Sequence, residues 1–124
     1  MSEKHENPFS ALERIFHEPN RLSIMSALSG AANGLSFREL KESCDLTDGN
    51  LSRHLKALEE AGVVQIDKAF VGSKPRTTIM LTDKGRERFI EYLQALEEVL
   101  LKAADAVSAS NEKVVLPLGR IKPA

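Results

Sequence analysis

Residues 46–62 read LTDGNLSRHLKALEEAG, a stretch that opens with the cap signal Thr47-Asp48 and closes on Gly62. At about 100° per residue, Leu51, Leu55 and Leu58 fall within one narrow sector, while Gly49, Ser52, Arg53, Lys56 and Glu60 lie nearly opposite. The spacing predicts a helix over about 48–61, ended by a left-handed cap at Gly62. A helix divided in this way packs its leucines on its own domain and turns hydrogen-bonding and cationic groups outward, the division a DNA-reading helix requires.

Immediately upstream, Ser36 to Glu39 (SFRE) forms a capping box: the Ser oxygen can accept from the N3 backbone and Glu39 can reach back to the cap. Leu35 and Leu40 stand where a hydrophobic staple would lie, and a short helix is predicted from Phe37 to Cys44. The connection Asp45, Leu46, Thr47 then makes residues 36–62 a helix-turn-helix, a unit that needs support from other helices. Two upstream segments offer it. Asn7-Pro8 reads as a helix start, with Phe9, Leu12, Ile15 and Phe16 following at helical spacing as far as Pro19. A second helix is predicted from Asn20, dense in Leu22, Ile24, Met25, Ala27 and Leu28, and closed by Gly30 and Gly34.

Downstream the pattern changes in kind. VVQIDKAF (63–70) and TTIML (77–81) are β-branched, partly alternating runs around VGSKPR, whose Gly and Pro predict a turn. The expected hairpin spans about 63–81 and carries Lys68, Lys74 and Arg76, the last two in the turn. Thr82 caps a long helix, about 83–107, in which Phe89, Leu93, Leu96, Leu100, Ala103 and Val107 recur at heptad-like steps. Residues 108–124 are expected to be an extended or mobile tail, although VVLPL (114–118) is apolar enough to dock. The fold class expected is mainly α with a small β-hairpin, and residues 1–107 form one domain.

Composition narrows the function classes. The chain has 124 residues, 42% of them hydrophobic, enough for one core. One cysteine, Cys44, excludes an internal disulfide and a thiolate cluster, so neither a metal nor a cofactor is expected. The first twenty residues hold charges throughout and no apolar run of membrane-spanning length, which predicts a cytoplasmic protein without a membrane partner. Ser52 and His54 point in different directions on a helix, and there is no Gly-rich phosphate loop, so an enzyme is not expected. The formal net charge is -1, but residues 53–88 carry +3 against -3 for residues 1–52 and -1 for residues 89–124. Phosphate attraction follows local charge density, so this total is compatible with double-stranded DNA as the partner.

Specific roles follow. Arg53 is the candidate for a bidentate contact to guanine, Asn50 and Ser52 for base edges or phosphate oxygens, and Lys56 for phosphate. Thr47 caps, and Gly49 leaves open, a helix N-terminus whose N–H groups can approach a phosphate. Arg38 can reach adjoining phosphates, and Lys74 and Arg76 would follow the backbone or enter a minor groove. His54 beside the leucine stripe reads as a structural histidine, and Cys44 as a buried thiol.

These features together resemble the winged-helix transcriptional regulators of bacteria and archaea, similar to the MarR and ArsR groups and to a short single-domain branch of them. The resemblance rests on GLSFRELKESCDLTDGNLSRHLKALEEAGVV (34–64), KPRTTIMLTDKGRERF (74–89) and the long helix beyond. It implies that the 48–61 helix reads the major groove, that the hairpin is the wing, and that terminal helices form a homodimer. Phe9, Leu12, Phe16, Phe89, Leu93, Leu96 and Leu100 are the expected dimer residues. A repressor on a palindromic operator is the expected activity, with no effector identifiable from the residues. The alternative is a winged helix used as a protein-interaction module, though such modules often lack the cations kept here at Arg53, Lys56, Lys74 and Arg76.

Overall fold

Proline 19 sets where the first helix begins. Its ring holds φ near the helical value and forces the preceding residue to be extended, and Glu18 lies at φ -151°, ψ 130°. The computed structural model describes residues 12–110, and α1 runs Pro19–Ser29 with the Glu18 carboxylate accepting from the Arg21 backbone N–H at 2.7 Å. The start therefore lies one residue before the expected Asn20.

The continuous helix expected from Asn7 to Pro19 is corrected for residues 12–18, which form a bend and a single turn closed by His17 N–H to Glu13 O at 3.0 Å. In an α-helix the Ile15 carbonyl would accept from the residue at 19, but proline has no N–H to give. The Arg21 side chain supplies that bond instead, Nε to Ile15 O at 2.7 Å. Phe9 and the 114–118 segment lie outside the described residues.

The helix-turn-helix is α2 (Phe37–Cys44) and α3 (Asp48–Glu60). Both halves of the capping box form: Glu39 N–H to Ser36 Oγ at 3.0 Å and Ser36 N–H to Glu39 Oε1 at 2.9 Å. Those bonds favour the charged carboxylate and hold the Glu39 pKa below its ordinary value. Asp45 in left-handed conformation ends α2, and Gly62 at φ +79° ends α3 as expected. Cys44 is half-buried.

The hairpin is β2 (Val64–Val71) and β3 (Lys74–Leu81), joined by Gly72-Ser73 alone. Gly72 takes φ +68°, which a two-residue hairpin turn needs and an L side chain resists. Lys74 and Arg76 are thereby corrected from turn to strand residues, opposite Val71 and Ala69. A third strand, β1 (Leu35–Ser36), pairs antiparallel with Ile79 and Thr78 and gives the sheet order β1-β3-β2. Finally α4 spans Asp83–Ser110, so Ser108 to Ser110 are helical and not tail.

The described residues fall into two compact units, 13–90 and, separately, Leu12 with α4 from Glu91 onward. The first holds the core: Phe16, Ile24, Met25, Leu28, Leu40, Leu51, Leu58, Val63 and Ile79 are fully enclosed. Phe16 meets Phe89 edge to face at 5.4 Å between centroids, and both are buried within the one chain. They are core residues, and their assignment to a dimer surface is corrected: an enclosed ring has no area left for a second copy. In the second unit Tyr92 and Ala95 are buried, while Leu93, Leu100, Leu101 and Val107 are exposed.

One hydroxyl joins α3, the hairpin and α4. Thr82 Oγ1 donates to Gly62 O at 2.7 Å and accepts from the Gly85 N–H at 2.9 Å, while Thr82 N–H donates to Val63 O at 3.1 Å. Gly85 is essential to the approach, since a Cβ there would stand 2.0 Å from Val63 O. Thr82→Val removes both hydroxyl bonds at nearly constant volume. It should lower stability by about 1–3 kcal/mol in urea unfolding at unchanged m-value. A midpoint equal to that of the native chain would show that the hydroxyl carries no net stability.

Candidate nucleic-acid interface

Helix α3 is held on three sides and open on the fourth. Leu51, Leu55 and Leu58 are buried, while Ser52, Arg53, Lys56 and Gly49 are exposed and Asn50 is half-buried. Thr47 Oγ1 accepts from the Asn50 N–H at 3.2 Å, and Lys41 Nζ reaches Asp48 Oδ1 at 2.8 Å, tying α2 to the first turn of α3. At the other end Arg88 donates from Nη1 to the Ala61 carbonyl at 3.2 Å. Its guanidinium also pairs with Glu13 and lies over the Phe16 ring at 5.8 Å. A cation at the last carbonyls of a helix is favourable, and this one braces α3 against the 13–16 turn.

His54 sits on the inner side of α3 at 6% exposure. Arg21 Nη1 lies 3.4 Å from its Nδ1, so that nitrogen accepts and Nε2 carries the proton. Among the described residues Nε2 finds no hydrogen-bond partner, so the expectation of a satisfied histidine holds for one ring nitrogen and not for the other. Burial pushes its pKa below the ordinary value, with Glu18 opposing the shift and Arg21 and Arg53 adding to it.

The predicted cations fall into two places. Arg38, Lys74 and Arg76 share a hollow of about 520 Å³ with Ser36, Phe37, Val71, Pro75 and Thr77, at the edge of β3 that β1 leaves free. Arg38 there pairs with Glu42 at 3.4 Å, an exposed i,i+4 contact weak enough to be exchanged for a phosphate. Lys56 and Ser52 line a second hollow of about 380 Å³ with Phe37, Leu55, Glu59, Ile66, Lys68 and Thr77. Arg53, with Gly49, stands on the open face of α3, and among the described residues Arg53 and Lys56 make no ion pair.

Three features escaped the sequence reading. Glu59, in the last turn of α3, lines the Lys56–Lys68 hollow. Lys68 faces α3 across that hollow, as its alternation with Ile66 in β2 could have shown. Arg88, the brace at the end of α3, has a sequence signal no different from that of any helical arginine.

Among the described residues no group of His, Cys, Asp and Glu is placed to hold a metal ion, and no helix is long and apolar enough to cross a membrane. Comparison with known proteins gives a consistent picture. The model of the winged helix DNA-binding domain family matches residues 20–100. An uncharacterised protein of Methanocaldococcus jannaschii is 41% identical over 80 residues, 64% of this chain and 86% of that one. A transcriptional regulator homologue from Pyrococcus horikoshii OT3 superposes with TM-score 0.69 at 32% identity, over 83% of this chain and 98% of that one. The M. tuberculosis transcriptional regulator MosR, solved in complex with DNA, gives 0.59 at 21% identity over 81% and 68%, a likeness of fold.

Because the folded chain resists protonating His54, the unfolded chain takes up a proton near pH 6.5 that the native one refuses until lower pH. Stability is then full above that value and falls as pH drops toward the folded pKa. His54→Leu should flatten the decline in urea midpoint as pH falls below about 6.5. An unaltered slope would place the pH dependence in other groups.

Proposed function

The chain belongs to the family of winged helix DNA-binding domains, and from that premise we propose that it is a MarR- and ArsR-like transcriptional repressor, cytoplasmic, acting as a homodimer on a palindromic operator. The observation that carries this reading is the two-sided character of α3: three leucines buried on one face, and Ser52, Arg53 and Lys56 exposed on the other with no ion pair among the described residues.

Helix α3 enters the major groove, where Arg53 makes the bidentate contact to guanine and Asn50 and Ser52 reach base edges or phosphate oxygens. Lys56 takes a phosphate, and the α3 N-terminus, capped by Thr47 and open at Gly49, takes another. The hollow that gathers Arg38, Lys74 and Arg76 receives the backbone on the wing side. Leu93 and Leu100 on α4, exposed at 41% and 39%, are covered by the second copy together with Leu96 and Leu12. The two α3 helices then address successive major grooves roughly 34 Å apart, and repression follows from excluding polymerase.

Selection of preferred sites from random duplexes, at stated salt, tests the reading directly, and equal affinity for all duplexes would refute it. Within the selected site, Arg53→Ala should cost about 1–3 kcal/mol and relax preference at one base pair. Native affinity in that variant would remove Arg53 from the contact set. Leu93→Glu combined with Leu100→Glu should sediment as a monomer; an unchanged mass would move the interface elsewhere.

A further inference from the structure

The wing ends in a feature that the fold does not use. Phe70 and Val71 are exposed at 73% and 61%, the most exposed large apolar side chains described. Phe70 stands opposite Pro75, on the strand face that includes Ile66 and Lys68 and so looks toward α3; Val71 stands opposite Lys74 on the other face. Neither contributes to the core.

Their setting indicates what covers them. Beyond Thr78, where β1 stops pairing, the sheet is a bare two-stranded ribbon, residues 68–71 against 74–77. Such a ribbon reaches about 13 Å at roughly 3.3 Å per residue, with strands about 4.8 Å apart. From Val64 to Leu81 it carries three cations, Lys68, Lys74 and Arg76, against one acid. That acid, Asp67, accepts from the Gln65 side-chain amide at 3.1 Å, and the ribbon keeps a net charge of +2 (three cations less one acid). An apolar tip flanked by cations complements a polyanion with an apolar interior, and a minor groove roughly 6 Å wide is of the ribbon's scale.

We propose that Phe70 is a wedge: it enters the minor groove at the wing, partly separates one base step, and kinks the operator there. The inference rests on the DNA-binding reading above and adds deformation of the duplex to it. Because unstacking is easiest at pyrimidine–purine steps, the wing then selects sequence without a base-edge hydrogen bond, favouring such a step beneath Phe70. Lys68, Lys74 and Arg76 hold the flanking phosphates on the two sides of the ribbon.

The test measures affinity and bend together on the selected operator, by end-to-end energy transfer and by permuted-fragment mobility, with the full chain. The native chain should bend the duplex by about 20° or more. Phe70→Ala should occupy the same footprint with the bend lost and affinity about tenfold weaker, whereas Phe70→Leu should keep the bend. Phe70 is largely solvent-exposed, so both variants should melt like the native chain.

Equal bend and affinity in Phe70→Ala would overturn the wedge. If that variant had also lost an associated species in sedimentation, the tip would belong to a second copy. A native complex with unbent DNA would overturn the wedge and leave the DNA-binding reading standing. Absence of any DNA binding by the native chain would overturn both.

Discussion

The bond pair made by the Thr82 hydroxyl fixes the geometry on which everything else depends. Helix α3 can read a surface only if the wing stands at a set distance and angle beside it, and the two are consecutive segments that could hinge at Gly62. By bonding to the Gly62 carbonyl on one side and the Gly85 N–H on the other, Thr82 closes the base of the hairpin onto the end of α3. The close approach of Gly85 to Val63 leaves no slack for the α4 start to drift. Arg88, one turn further along α4, then takes the last carbonyl of α3 and brings the 13–16 turn against it.

Charge is organised on the same local scale. A formal net charge of -1 would argue against a polyanion partner if it were spread evenly, but residues 53–88 carry +3 and several acids elsewhere are engaged in building the fold. Glu39 completes a capping box, Glu18 caps α1, Asp48 holds Lys41, and Glu13 holds Arg88. Among the cations left outward are those of the α3 face and the wing, where a phosphate oxygen is a natural counter-ion.

What was legible in the sequence was what local chemistry decides. Ser36 and Glu39 specify a cap within four residues, and the Leu51, Leu55, Leu58 spacing specifies a buried face within three turns. The fold class, the helix-turn-helix and the hairpin follow from such signals. The errors all lie where a distant or competing group intervenes. Residues 12–18 have helical spacing, yet Pro19 withholds a donor and Arg21 replaces it from the next helix. Leu35 and Ser36 become a strand only because β3 returns beside them from more than forty positions away. Phe16 and Phe89 read in the sequence as part of a seam between two copies, and only the folded chain reveals that they face each other within one. Lys74 and Arg76 were displaced by a turn that closes in two residues because Gly72 permits it.

The segregation within α3 and the wing also bears on how such a protein changes over generations. The residues that give the fold its stability and those that face outward are nearly disjoint sets. Ser52, Arg53, Lys56, Lys74 and Arg76 can each be exchanged with little thermodynamic penalty, since exposed positions away from caps and cores generally shift stability by no more than about 0.5 kcal/mol. A gene duplicate could therefore drift to a new target by single steps, every intermediate remaining folded.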